Sequence, residues 1–217
     1  MRFIRQPRSL FGGSERPATC AEWFAFAISL VGSPFLTPLY TVGIVVGTSV
    51  DDRRRLLLWG AFVSIFLIGV ALCYVAIQVW RGKITDVHVS QQSQRQAPFM
   101  VAVCSSLVGT VILWRMQAPW MLVALGTSFA IQGIIFGVLT RYRKISMHVA
   151  VMASCLTALI AVFGWIAVPL IGFLPLQGWA RIYRRRHSLG QVVAGAILAP
   201  LLTILILMSW WLAGNAR

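Results

Sequence analysis

Long stretches without a charged side chain constrain this chain more than any other feature. Leu56–Trp80 and Met116–Thr140 run for 25 residues each without Asp, Glu, Lys or Arg, Ser188–Ala213 for 26 and Pro98–Trp114 for 17. A helix needs about 20 apolar residues to cross some 30 Å of hydrocarbon. With 59% hydrophobic residues, 11% charged and a mean hydropathy of +0.81, the chain has too little polar side chain to cover a water-soluble surface. An integral membrane protein is therefore expected. Backbone groups in lipid must be satisfied inside their own segment, so the expected fold is all-α, a polytopic transmembrane helical bundle forming a single domain over residues 1–217.

Two further runs need dividing. Trp23–Val50 is charge-free but carries Pro34 and Pro38, which should kink or break a helix. Val149–Ala180 is too long for one perpendicular span and short for two, and it divides best at Phe163, Gly164 and Trp165. Between Pro98–Trp114 and Met116–Thr140, Gln117-Ala-Pro119 suits an antiparallel hairpin turn. Six to seven spans result. All nine Trp fall near proposed segment ends, as amphipathic rings at headgroup level should. The pairs Gly43/Gly47 and Gly133/Gly137 offer small surfaces for close helix packing. Residues 1–22 form a basic N-terminal segment. The apolar run after it is about twice the usual length of a signal-peptide core and has no small-residue cleavage site, so it is expected to stay attached.

The net charge of +14 arises from 19 Lys and Arg against only Glu15, Glu22, Asp51, Asp52 and Asp86. A nucleic-acid binder would still need a mostly polar exterior, so nucleic acid is not expected as a partner. Scarcity of acids also excludes paired-carboxylate hydrolysis and a carboxylate-built metal site. Cys20, Cys73, Cys104 and Cys155 are too widely spaced for zinc or a redox pair and read as small buried hydrophobes.

Counting crossings puts the N-terminus and the loops at 81–97, 141–148 and 181–187 on one membrane face. All three histidines, His88, His148 and His187, fall there. So do 14 of the 19 basic residues, leaving Arg53, Arg54, Arg55, Arg115 and Arg217 opposite. Basic loops mark the cytoplasmic side of ordinary membrane proteins, which is sufficient to explain the charge by itself. It also makes the histidine-bearing loops cytoplasmic, in a bacterial-type inner (plasma) membrane. The histidines add chemistry, because Arg and Lys clamp phosphate oxygens while His can attack phosphorus or move a proton.

The spacing sharpens this. Arg181-Ile-Tyr-Arg-Arg-Arg-His187-Ser-Leu-Gly-Gln191 sets an Arg six residues before a His and a Gln one helical turn after it, while Ile145-Ser-Met-His148 sets a hydroxyl and a second imidazole at the mouth of another span. Here the chain resembles the type 2 phosphatidic acid phosphatase family, membrane relatives of the vanadium haloperoxidases, over roughly residues 81–200. The family's third motif is Ser-Arg, five residues, His, three residues, Asp; Arg181 and His187 fit it, with Ala180 for Ser and Gln191 for Asp, and Val192-Val-Ala-Gly195 follows as in the family. Its second motif is Pro-Ser-Gly-His; Ser146 and His148 fit, with Ile145 for Pro and Met147 for Gly. Of its first, Lys, six residues, Arg-Pro, Arg95 matches, whereas Pro98 comes two residues late and His88 occupies the Lys position; Lys83 or Lys144 is left to supply that charge.

The resemblance implies a metal-independent phosphatase with no cofactor. His187 would attack phosphorus to form a phosphohistidine, with His148 protonating the departing oxygen and later activating water. Arg181, Arg95, Ser146 and Lys144 would hold the phosphoryl oxygens, and Gln191 would orient His187 without supplying the charge of an Asp. The implied partner is a membrane lipid bearing a phosphate: an isoprenyl phosphate or diphosphate, phosphatidic acid or phosphatidylglycerol phosphate. The alternative is a family member that has lost turnover and serves as a structural or lipid-binding subunit of a larger membrane complex. A transporter ranks below both, since no span carries buried acids and no internal repeat is visible.

Overall fold

In a computed structural model, residues 17, 19–49, 52–85, 87, 89 and 91–215 are described, and among them there are helices and turns but no strand. The helices are α1 (Cys20–Val31), α2 (Leu36–Ser49), α3 (Arg53–Ser64), α4 (Val70–Trp80), α5 (Gln96–Arg115), α6 (Trp120–Tyr142), α7 (Met147–Phe163), α8 (Phe173–Tyr183) and α9 (Leu189–Asn215). A single π turn, Ile65–Gly69, joins α3 to α4 in one continuous run, and a 3-10 stretch, Gly164–Gly172, joins α7 to α8. The all-α membrane bundle is thus the fold.

Five helical runs are long and apolar enough to cross a membrane, or six when α1 and α2 count as one span bent by 49°. The bend sits where the prolines place it. Ser33 Oγ accepts from the Leu36 amide at 3.2 Å, and Pro38 falls in the first turn of α2, where no intrahelical donor is lost. The 37-residue run Met147–Tyr183 passes as one length, although its two ends come together: the Ser146 amide bonds to the Gln191 carbonyl, and Lys144 Nζ to the Arg186 carbonyl. The turning point is the 3-10 stretch opened by Gly164 at φ +58°, at the expected division. The run therefore makes two passes, which reconciles five or six long apolar runs with the six or seven spans expected.

Packing follows the small residues only in part. α6 lies close against α5 at Gly133, where an added Cβ would stand 2.7 Å from Val103 Cγ2. Beside Gly43 and Gly47, by contrast, there is open space, so this pair mediates no contact among the described residues. The largest buried cluster lies at the end of the bundle away from the histidines, joining Val45, Leu67, Leu122, Leu159 and Ala167. Antiparallel to α8, α1 is held by Gln177 Nε2 donating to the Gly32 carbonyl and by Arg181 Nη1 donating to Ser29 Oγ.

Candidate functional site: a cationic cavity

α8 ends in a motif that explains the spacing of Arg181 and His187. The Arg186 amide bonds to the Arg181 carbonyl at 3.0 Å and the Arg185 amide to the Ile182 carbonyl at 2.8 Å, while Arg185 adopts φ +52°. This six-to-one and five-to-two pairing around a left-handed residue is the Schellman ending of a helix. It reverses the chain within four residues, so that the His187 amide comes back to the Arg181 carbonyl at 3.3 Å. α9 then begins two residues on, and from its third position Gln191 Oε1 lies 3.0 Å from His187 Nδ1.

The tautomer follows from that contact. Gln191 Oε1 also accepts from the Ser188 amide at 3.4 Å, which identifies it as the oxygen end of the amide. His187 Nδ1 must then carry the hydrogen, leaving Nε2 with a lone pair. Burial pushes the His187 pKa down to about 4, and Arg181, Lys144 and Arg95 push the same way, against the Gln191 hydrogen bond. The imidazole is neutral at physiological pH.

His187 belongs to the lining of a cavity of about 230 Å³. At its polar end stand Arg95, Lys144, His148, Arg181, Arg186 and His187, drawn from the start of α5, the α6–α7 turn, the first turn of α7 and the end of α8. Arg95 is held by its Nε donating to the Val89 carbonyl at 2.9 Å. Lys144 has a lowered pKa, from burial first and then from Arg95, Arg181 and Arg186. Arg181 is only 8% exposed and its Nε has no partner. Among the described residues no Asp or Glu is part of the lining. α7 also starts here, and its dipole adds positive potential. Four cations gathered at one end of the cavity give it a positive potential that attracts an anion.

From this end the cavity continues between helices past Phe35, Leu67, Val75, Phe99 and Phe136, an apolar surface inside the bundle. The lining thus joins a cationic head to a hydrocarbon-like tail.

Of the residues singled out from sequence, Arg95, Lys144, His148, Arg181 and His187 line this one cavity. Gln191 is not part of the lining and acts on it through His187. Ser146 departs from the expectation. Its side chain is fully buried off the cavity, behind the first turn of α7, because its backbone is tied to α9 through Gln191. His88 lies outside the described residues, and Lys83 is exposed and away from the lining. Arg186 and Ser29 were missed: Arg186 sits inside a basic run whose members look alike in sequence, and Ser29 reaches Arg181 from 152 positions away. Among the described residues no group of three or more His, Cys, Asp or Glu could hold a metal. No protein-family model, curated protein or solved structure matches this chain.

Proposed function

We propose that the protein is a lipid phosphate phosphatase working through His187. The observation that carries this reading is the cavity itself, where two imidazoles and four cations open onto an apolar interior. A phosphate ester on a hydrocarbon chain has the matching charge and shape. The unpartnered Nε of Arg181, buried beside His187, is a donor awaiting an acceptor oxygen.

In the first half-reaction the His187 Nε2 lone pair attacks phosphorus. The N–P bond forms as the P–O bond to the lipid alcohol breaks, and the alcohol oxygen takes a proton from the His148 ring. Arg95, Lys144, Arg181 and Arg186 hold the three phosphoryl oxygens as charge gathers on them. In the second half His148 accepts a proton from water as the water oxygen attacks phosphorus, the N–P bond breaks, and phosphate departs with His187 neutral again. Throughout, Gln191 Oε1 keeps the Nδ1 hydrogen.

That same contact favours a second reading. Gln191 offers a dipole where a carboxylate would offset the charge on a phosphohistidine, so a chain that binds lipid phosphates without turning them over, as a subunit of a membrane complex, fits the cavity as well. Phosphate release from a panel of lipid phosphates by purified protein without added metal separates the two. Catalysis predicts release that falls by at least about 10³ in His187→Ala, in line with loss of a nucleophile. Release that survives the substitution contradicts the role of His187, and binding without release favours the subunit reading. For sidedness, the 14 to 5 distribution of basic residues, or 11 to 5 with Arg95, Lys144 and Arg181 set aside for phosphate, supports a cytoplasmic histidine face in a plasma membrane of bacterial type.

A further inference from the structure

Deeper than the cationic end, the cavity meets three polar side chains among apolar ones: Ser106 near the middle of α5, Gln132 near the middle of α6 and Ser154 in α7. All three are buried. Polar groups at this depth in a bilayer are costly unless they bond to each other or to a ligand.

Most of their capacity is directed inward. Gln132 Nε2 donates to Ser128 Oγ at 2.7 Å and to Thr203 Oγ1 at 3.0 Å, and Ser154 Oγ donates to Gln132 Oε1 at 2.6 Å. Thr203 Oγ1 in turn donates to the Ala199 carbonyl at 2.9 Å. Both amide hydrogens of Gln132 and the hydroxyl hydrogen of Ser154 are committed, which leaves the Ser154 oxygen and the second lone pair of Gln132 Oε1 as acceptors. The Ser106 hydroxyl makes no hydrogen bond among the described residues and supplies a donor. Acceptors and a donor lining the same cavity complement a hydroxyl group, which both gives and takes a hydrogen bond. An ester carbonyl only accepts, and an alkyl chain does neither.

We propose that Ser106, Gln132 and Ser154 form a second recognition point, for a hydroxyl group carried on the chain of the lipid phosphate. This rests on the reading of the cationic end as a phosphate site. Ser154 follows His148 by six residues on α7, which places it about 9 Å further along the helix. An extended chain covers that distance in roughly seven bonds, so the hydroxyl falls near the sixth carbon of an alkyl phosphate, deeper than a glycerol hydroxyl would reach.

The test compares hexadecyl phosphate with 6-hydroxyhexadecyl phosphate, each titrated calorimetrically into the full-length protein in non-ionic detergent. Wild type is expected to bind the hydroxylated chain at least about tenfold more tightly, two hydrogen bonds being gained where the plain chain leaves polar groups unpaired. In Ser106→Ala/Ser154→Ala the ratio should fall towards one, while Arg181→Gln should weaken both ligands and leave the ratio intact. Equal binding of the two chains by wild type overturns the hydroxyl site and leaves the phosphate site standing. Failure of either chain to bind at millimolar concentration contradicts the phosphate site, and the hydroxyl site with it.

Discussion

His187 combines two requirements of a nucleophile in one side chain, a neutral ring and a fixed tautomer. Burial and the neighbouring cations hold its pKa at about 4, so the ring stays unprotonated through the pH range in which phosphate esters are dianions. The same depression has a cost in acid. The unfolded chain takes up the His187 proton near pH 6.5 and the folded chain only near 4, so this residue's contribution to stability falls as pH drops through that interval and is unchanged above it. Gln191 fixes the ring without countering the charge that the proposed phosphohistidine would bring. In Gln191→Asp the carboxylate should raise the His187 pKa, read from the imidazole NMR titration. Turnover should rise on the order of 10²-fold, given that neutralising the orienting Asp of a Ser-His-Asp triad costs about 10⁴. A raised pKa with no gain in phosphate release would show that the ring is not the reacting group.

The site is assembled at helix ends, and its rigidity comes from helix packing below. α5 and the π turn before α4 approach so closely that a Cβ on Gly109 would stand 2.5 Å from Phe66 Cβ, and Ser105 Oγ donates to the Phe66 carbonyl within that turn. Gly109→Ala should therefore destabilise the detergent-solubilised protein by about 1–3 kcal/mol, seen as a lower melting temperature. Gly47→Ala, with open space around it, should stay within about 0.5 kcal/mol; equal effects would mean that the α4–α5 contact is not as described. Charge-free length made the helices legible in sequence, and Pro34, Pro38 and Gly164 made two of the breaks legible. The π turn was not, since nothing in Ile65–Gly69 differs in hydropathy from its flanks. Nor could sequence tell Gly109, packed against Phe66, from Gly43 and Gly47, which meet nothing: which face of a helix turns inward is decided by its neighbours. His148, Arg181 and His187 were legible because a helix-ending motif and a first turn fix them locally. The apolar half of the cavity and the Gln132 network depend on helices distant in sequence meeting, α6, α7 and α9 in the case of the network, and leave only scattered polar letters in apolar runs.

At the scale of the whole molecule, the bundle carries a cavity that is cationic at one end and apolar within, and the N-terminal side of α1 docks beside it through Arg184 over the Phe26 ring at 4.9 Å. Sidedness can be checked with Arg143→Cys, an exposed position in the α6–α7 turn, placed in a chain whose native cysteines are replaced by Ala. A cytoplasmic site predicts protection from an impermeant maleimide in intact cells and labelling after lysis; labelling in intact cells would invert the topology. The central claim is that the phosphoryl group passes through His187. Incubation with a lipid whose phosphate carries ³²P, quenched in alkali within the first turnovers, tests it most directly. The account predicts protein-bound label that is stable to base, released by acid and lost in His187→Ala, while phosphate release from lipid without any such label in wild type would contradict it.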